Sequence, residues 1–381
     1  MRCEVLPDRR FFLAIFFGAP TPDATDNDTM ALIPTTILTG FLGAGKTTLL
    51  KRILQEPHGL KIAVIENEFG PESIDTEILV QDNSEQIIEM NNGCICCTVR
   101  GDLITALGSL AAKKDAGELH FDHVIIETTG VANPGPVAQT FFMNDEVAVR
   151  YLLDAIITVV DARHAMQQLD TQEEAQRQVG FADRLLLSKT DLVTPDELVA
   201  LRERLVRMNP RAPIATVDFG KLPIADVLDL RGFNLNDKLE IDPDFLAIDT
   251  AAHDHDHDHA HDETCAPGCD DSHAPANHHH AHQDDIQAFM FKSDRPFNVG
   301  RLDEFLGGLV QVYGPRMLRY KGVLWMDGSE RKIVFQGVHQ MMGSDIGGAW
   351  AVDEPRGSKM VFIGKNLPRD TFIEGLEQCL V

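Results

Sequence analysis

The stretch that most constrains this chain runs from Ile33 to Leu54. An apolar run, Ile33 to Leu38, leads into Gly40-x-x-x-x-Gly45-Lys46-Thr47, and Thr48-Leu-Leu-Lys-Arg-Ile-Leu54 continues with helical character. Strand, glycine-rich turn and helix in that order form a phosphate-binding loop, the P-loop. Gly40, Gly43 and Gly45 let backbone N–H groups turn inward on a phosphate chain with no Cβ in the way, and Ala44 and Thr48 complete the lining. Lys46 supplies a point charge for β- and γ-phosphates and Thr47 a hydroxyl for Mg2+. The helix aims its positive N-terminal end at the anion. A chance glycine-rich turn would match the pattern but would not explain both flanks. The stretch therefore implies a bound nucleotide.

At 381 residues the chain has room for two domains, each with its own core. A formal net charge of −25 argues against a nucleic-acid partner, which needs a basic face. No apolar run approaches the ~20 residues that span a bilayer, so no membrane partner is expected. Of seven cysteines, Cys94, Cys96 and Cys97 fall within four positions, and Cys265 and Cys269 form a second group. That clustering reads as metal chemistry in a reducing, cytoplasmic setting and not as a disulfide scaffold. Residues 1–30 read in two ways. Arg9-Arg10 followed by Phe11 to Ala19 mimics a short secretory signal, whereas Met30 directly precedes the first strand and favours an extension or a misassigned start.

Along 31–236, short apolar runs alternate with helical stretches. The runs Lys61 to Ile65, His123 to Ile126, Ala155 to Val160 and Arg184 to Leu187 read as buried strands, with Leu103, Ala106, Leu107 and Leu110 forming a helical stripe between them. This predicts an α/β domain of the P-loop NTPase kind, with a mostly parallel sheet and helices on both faces. Thr194, Pro195 and Glu197 open a capped helix that faces Leu198, Leu201, Leu205 and Met208 inward and stops at Asn209-Pro210. Residues 237–285 form an acidic, His-rich linker, in which 251–285 carries ten of the fifteen histidines. From 286 to 381, strand-like pieces (Ala288 to Phe291, Met317 to Trp325, Lys332 to Gln336, Lys359 to Phe362) alternate with helices at Asn298 to Leu309 and Arg369 to Leu380. They predict a smaller α+β C-terminal domain.

Ser188-Lys189-Thr190-Asp191 ends a buried strand in the place and order of a guanine-reading Asn-Lys-x-Asp. Asp191 would accept from guanine N1–H and the N2 amino group; adenine offers neither donor there, which favours GTP. Lys189 can lie across the base, and Ser188 replaces the expected Asn. A solvated loop after a strand is the plainer alternative. Glu127-Thr-Thr-Gly130 also follows a strand: Glu127 can act near Mg2+ and the attacking water, and the Gly130 N–H can sense the γ-phosphate. Asp161 reads as a strand-end cap.

Cys94-x-Cys96-Cys97 is too tight for a zinc ribbon, but adjacent thiols on a turn can offer two or three sulfurs and leave a position open for exchange. The alternative is that some are small buried apolar residues. His253, His255, His257, His259 and His261 recur at every second position with Asp254, Asp256, Asp258 and Asp262 among them and fit the collection of Zn2+, Ni2+ or Co2+; a solvated acidic linker is the plainer reading.

Gly40-Phe-Leu-Gly-Ala-Gly-Lys-Thr-Thr48, Glu66-Asn-Glu-Phe-Gly70, Gly93-Cys-Ile-Cys-Cys97 and Glu127-Thr-Thr-Gly130 together resemble the CobW-like family of P-loop GTPases, in particular its YjiA-like subgroup. Leu318-Arg-Tyr-Lys-Gly322 and Phe335-Gln-Gly-Val338 resemble its C-terminal domain. The resemblance covers Ile33 to Leu380 apart from the His-rich insert. It implies GTP hydrolysis linked to delivery of a transition metal, usually zinc, to a client metalloprotein. It also implies metal bound by the three thiols with Glu66 as a carboxylate ligand. Where the family has a second carboxylate this sequence has Pro71, and Glu72 one place on is the substitute candidate. The combined expectation is a GTP-hydrolysing metallochaperone, able to form a homodimer. A metal-buffering protein and a metal-sensing GTPase switch without transfer stand as alternatives.

Overall fold

The computed structural model describes residues 32–57, 59–66, 87–89, 98–217, 284–351 and 354–381, together with 219, 222–223, 227–228 and 230. Seven strands form the larger sheet: β1 (Ile33–Gly40), β2 (Ile62–Glu66), β3 (Ile87–Glu89), β4 (His123–Glu127), β5 (Tyr151–Asp161), β6 (Arg184–Ser188) and β7 (Ile214–Val217). Their order is β3-β2-β4-β1-β5-β6-β7, and every neighbouring pair is parallel. Between them run α1 (Lys46–Gln55), α2 (Thr98–Asp115), α3 (Pro134–Met143), α4 (Asp145–Ala148), α5 (Ala165–Thr171), α6 (Glu173–Phe181) and α7 (Pro195–Met208).

The continuous apolar runs are explained by burial on both faces. Successive side chains of a strand point to opposite sides. Thus Ile37, Ile65, Val124, Ile126, Ile156, Leu185 and Leu187 enter one core with α2, α3, α6 and α7. Leu38, Val64, Ile125, Ile157 and Leu186 enter another with Leu49, Leu50 and Ile53 of α1. Helices on both faces of a parallel sheet were the expectation, and the structure has them. The predicted capping box is present as well: Thr194 accepts from the Glu197 N–H while the Glu197 carboxylate accepts from Thr194 N.

The C-terminal part is the predicted α+β unit: β8 (Ile286–Ser293), α8 (Val299–Tyr313), β9 (Met317–Leu324), β10 (Arg331–Val338), β11 (Met341–Ala349), β12 (Ser358–Lys365) and α9 (Arg369–Gln378). Its antiparallel sheet has the order β11-β10-β9-β12-β8. One face carries Phe289, Phe291, Tyr320, Phe335 and Phe362 against Leu302 and Leu306 of α8 and Phe372 of α9. From the other face Ile286, Met290, Leu318, Val338, Val361 and Ile363 join the core of the first domain. Helix α6 therefore lies between the two sheets, touching β1 and β5 on one side and β8 and β9 on the other.

Two buried charge pairs close this seam. Arg319 on β9 meets Asp183 at 2.8 Å, with side-chain exposures of 0% and 3%. Asp183 also accepts from Ile156 N, so one carboxylate ties β9 to β5. Arg204 on α7 grips Asp284 with both Nε and Nη2, just ahead of β8. A desolvated pair of this kind adds little net stability, but removing one partner leaves a buried uncompensated charge.

Candidate nucleotide and metal site

Every polar group singled out in the parallel sheet lies at the carboxyl end of a strand, where open α/β sheets bind ligands. Gly40 closes β1 at φ 144°, and a Cβ there would lie 2.3 Å from Val159 O. Gly43 and Gly45 have φ of 74° and 99° in the turn that follows, a backbone that L side chains rarely adopt. The residue types demanded by a phosphate cradle are thus also demanded by the backbone path. Ala44 is buried between the glycines, and Lys46, at the first turn of α1, is 9% exposed with its Nζ donating to Gly40 O at 2.9 Å. Thr47, half-buried beside it, donates its hydroxyl to Glu127 Oε1 at 3.0 Å; Thr48 is exposed.

Glu127 stands at the end of β4, next to β1, in register with Leu38 and, on the other side, with Glu66 at the end of β2. Glu66 is buried at 8% exposure. Neighbouring positions in a parallel pair face the same side of the sheet, so the two carboxylates occupy adjacent sites one strand apart. The loop after Glu127 doubles back on the P-loop. Thr128 N donates to Leu38 O and its hydroxyl to Thr39 Oγ1, and a Cβ at Gly130 would lie 2.7 Å from Leu42 N. Only glycine fits so close an approach.

On the other flank, Ser188 Oγ donates to Ala44 O at 2.7 Å. The residue that departs from the expected Asn thus anchors the guanine-type motif directly to the P-loop. Lys189 adopts φ 55°, an unusual backbone for a side-chain-bearing residue, and its Nζ meets Asp161 Oδ2 at 2.7 Å. Asp161 does cap its strand end, accepting from Arg163 N, but it is also the counter-ion of Lys189 and a partner of His164 Nδ1 at 3.0 Å. Burial alone would raise the Asp161 pKa. Hydrogen bonds and charge from Lys189 and His164 together outweigh it and hold the carboxyl below its ordinary value. Asp191 is exposed in the one-turn helix Thr190–Leu192, where its carboxylate is accessible.

Reading by residue type alone assigned Asp161 no site role and did not single out Gln178. Buried on α6, Gln178 donates from Nε2 to Gly130 O at 3.1 Å and to Ala132 O at 3.0 Å. A signal for Asp161 was available, a carboxylate closing a strand beside one that ends in Ser-Lys. For Gln178 there was none, because a glutamine in a helix is ordinary. The proposed metal ligands Cys94, Cys96, Cys97 and Glu72, and the histidines His253, His255, His257, His259 and His261, lie outside the described residues. Among the described residues no group of three or more His, Cys, Asp or Glu side chains could hold a metal ion, and no helix is long and apolar enough to cross a membrane.

A P-loop on a parallel sheet, flanked by a guanine-type motif at the end of β6, defines a P-loop GTPase. Comparison with known proteins extends this. Residues 34–216 match the CobW/HypB/UreG nucleotide-binding domain, and residues 286–380 match the cobalamin synthesis protein cobW C-terminal domain. The chain is 40% identical over 338 residues to the zinc chaperone YjiA of Escherichia coli, covering 89% of this chain and 96% of that one. It is 32% identical to the zinc chaperone CobW of Pseudomonas aeruginosa, over 92% of each. The crystal structure of Zn(II)-bound YjiA GTPase from E. coli superposes with a TM-score of 0.71 at 36% identity, over 92% of this chain and all of that one. The chain belongs to the CobW family of GTPases.

Proposed function

We propose that this GTPase is a metallochaperone: it binds zinc, or Co2+ or Ni2+ in its place, and couples GTP hydrolysis to transfer of that metal to a client protein. The observation that carries the reading is the register of Glu66 with Glu127, together with the bond from Thr47 to Glu127. A candidate metal carboxylate sits one strand away from the carboxylate that touches the P-loop threonine. A change at the nucleotide therefore has a short route to the metal. Relatives named as zinc chaperones support zinc as cargo.

In this reading Gly40, Gly43, Ala44, Gly45 and Thr48 line the phosphate cradle, and Lys46 places its charge on the β- and γ-phosphates. The hydroxyl of Thr47 and the carboxylate of Glu127, 3.0 Å apart, are hard oxygen donors and fit Mg2+. Mg2+ supplies charge neutralisation to the phosphates. Glu127 orients the attacking water, the Gly130 N–H meets the γ-phosphate, and Ser188, Lys189 and Asp191 hold the base. Cys94, Cys96, Cys97, Glu66 and Glu72 hold the cargo, and the histidines of the acidic insert gather it. Unequal metal affinity in the two nucleotide states is what turns hydrolysis into transfer.

The test is Zn2+ release from metal-loaded protein to a chelating dye after adding GTP or GDP under single-turnover conditions, with Glu66→Gln alongside. The expected result is release triggered by GTP turnover and, for Glu66→Gln, Zn2+ binding weakened about tenfold at unchanged GDP affinity. Release at equal rates with either nucleotide contradicts the proposal.

A further inference from the structure

Gln178 is 1% exposed and lies on the helix between the two sheets. Both hydrogens of its amide nitrogen are used on one short loop, at Gly130 O and Ala132 O. The main-chain carbonyl of Gln178 accepts from Thr158 Oγ1 at 2.8 Å, which fixes this turn of α6 to β5. The loop it holds presses Gly130 against Leu42 of the P-loop. On the far side, the same helix is gripped by the C-terminal sheet. A Cβ at Gly180 would lie 2.6 Å from Leu318 Cδ1 and 3.1 Å from Ile286 Cγ2. Phe181 packs edge-on against His339, with ring centroids 4.9 Å apart, and Glu173 pairs with Lys365 at 2.8 Å. His339 also covers Gly135 at the start of α3, where a Cβ would meet its Nε2 at 2.7 Å. The Gly130 loop is thus held by α6 and runs into α3, and both helices touch the C-terminal sheet.

We propose that Gln178 is a positioning residue for GTP hydrolysis, setting the Gly130 loop against the P-loop from a helix whose place is fixed by the C-terminal sheet. The loop's two carbonyls are held by a neutral double donor, so the loop's place against the P-loop is set without adding charge near the phosphates. Because α6 is packed on both sides, the loop cannot rearrange while the C-terminal sheet stays where it is. A partner that shifts that sheet would therefore change the hydrolysis rate. The inference rests on the reading of Gly130 as the residue that meets the γ-phosphate.

The test uses the full chain and separates nucleotides that reach the Gly130 loop from those that do not. Gln178→Leu keeps the bulk and removes both donors; Gln178→Glu keeps the shape and sets an acceptor against two carbonyls. For each, kcat is expected to fall about tenfold and the affinity for a non-hydrolysable GTP analogue about fivefold, with GDP affinity within about twofold of the parent. Gly180→Ala, which raises helix propensity while pushing on Leu318, should give the same pattern at smaller size. If GDP and the analogue weaken equally, or if neither affinity nor kcat moves, Gln178 is not a positioning residue. If Gly180→Ala alone matches the parent, the link to the C-terminal sheet fails while the role of Gln178 stands. Gly130→Ala is the control: unchanged kcat and analogue affinity there would overturn the reading of the loop itself.

Discussion

The two sheets of this protein are both buried on both faces, yet they spend that burial differently. In the parallel sheet all strands point the same way, so their carboxyl ends gather at one edge. Gly40, Glu66, Glu127, Asp161 and Ser188 each terminate a strand there. In the antiparallel sheet neighbouring strands run in opposite directions, and no edge collects chain ends of one kind. One of its faces packs on α8 and α9, the other on the GTPase helices. Chemistry is thus concentrated in the first sheet, and the second acts through contact. The charges behave accordingly. In the Asp161–Lys189 pair the buried carboxylate meets a lysine partly open to solvent, while in the Arg319–Asp183 pair both partners are sealed.

The contrast breaks most sharply at the P-loop. Lys46→Ala is expected to lower GTP hydrolysis by about 100-fold or more, since it removes the cation proposed above for the transferring phosphate, with little change in folding. Phosphate release and a thermal melt check the two halves of that statement. At the seam the expected effect is the reverse. Asp183→Ala leaves Arg319 without its carboxylate and beside Arg211, whose pKa burial, with help from Arg319, pushes down to about 10. Chemical denaturation should show a loss of about 3–5 kcal/mol, with hydrolysis affected only as far as the fold is.

A smaller effect lies between the two. Ser188→Ala removes the bond to Ala44 O that ties the base motif to the P-loop. GDP and GTP affinity should fall together, each by about fivefold to tenfold in calorimetric titration. The mildest prediction concerns pH. Burial, aided by Arg177, holds His339 below its ordinary value of 6.5, so the native contact favours the neutral ring. Its contribution is present above the unfolded-state value and is lost as pH falls through the lower native one. Melts from pH 7.5 to 5 should show a decline in stability that His339→Gln reduces.

Much of the nucleotide side was legible in the sequence, because burial on both faces makes parallel strands read as unbroken apolar runs. The P-loop and the helix from Thr194 carry local backbone chemistry that residue types report directly. Met317 to Trp325 came within one residue, but three other C-terminal strands were found shortened: Ala288 to Phe291 proved to be Ile286–Ser293, Lys332 to Gln336 proved to be Arg331–Val338, and Lys359 to Phe362 proved to be Ser358–Lys365. Their ends hold Arg, Ser and Lys, which mask a strand's alternation. β11 was not anticipated at all, since Met341–Ala349 carries Gly343, Gly347 and Gly348, residues that usually argue against a strand. Gln178 and the Arg319–Asp183 pair depend on chain positions far apart, and no local pattern announces them.

The most direct test of the account is the Zn2+ affinity of the full chain by dye competition, with GDP, with a non-hydrolysable GTP analogue, and with neither. If the nucleotide end of the sheet and the metal carboxylate form one unit, affinity should differ by at least ~10-fold between the two nucleotides, about 1.4 kcal/mol of coupling, and Cys96→Ala should abolish the difference. Identical affinities in all three conditions would contradict the claim that nucleotide state drives metal release.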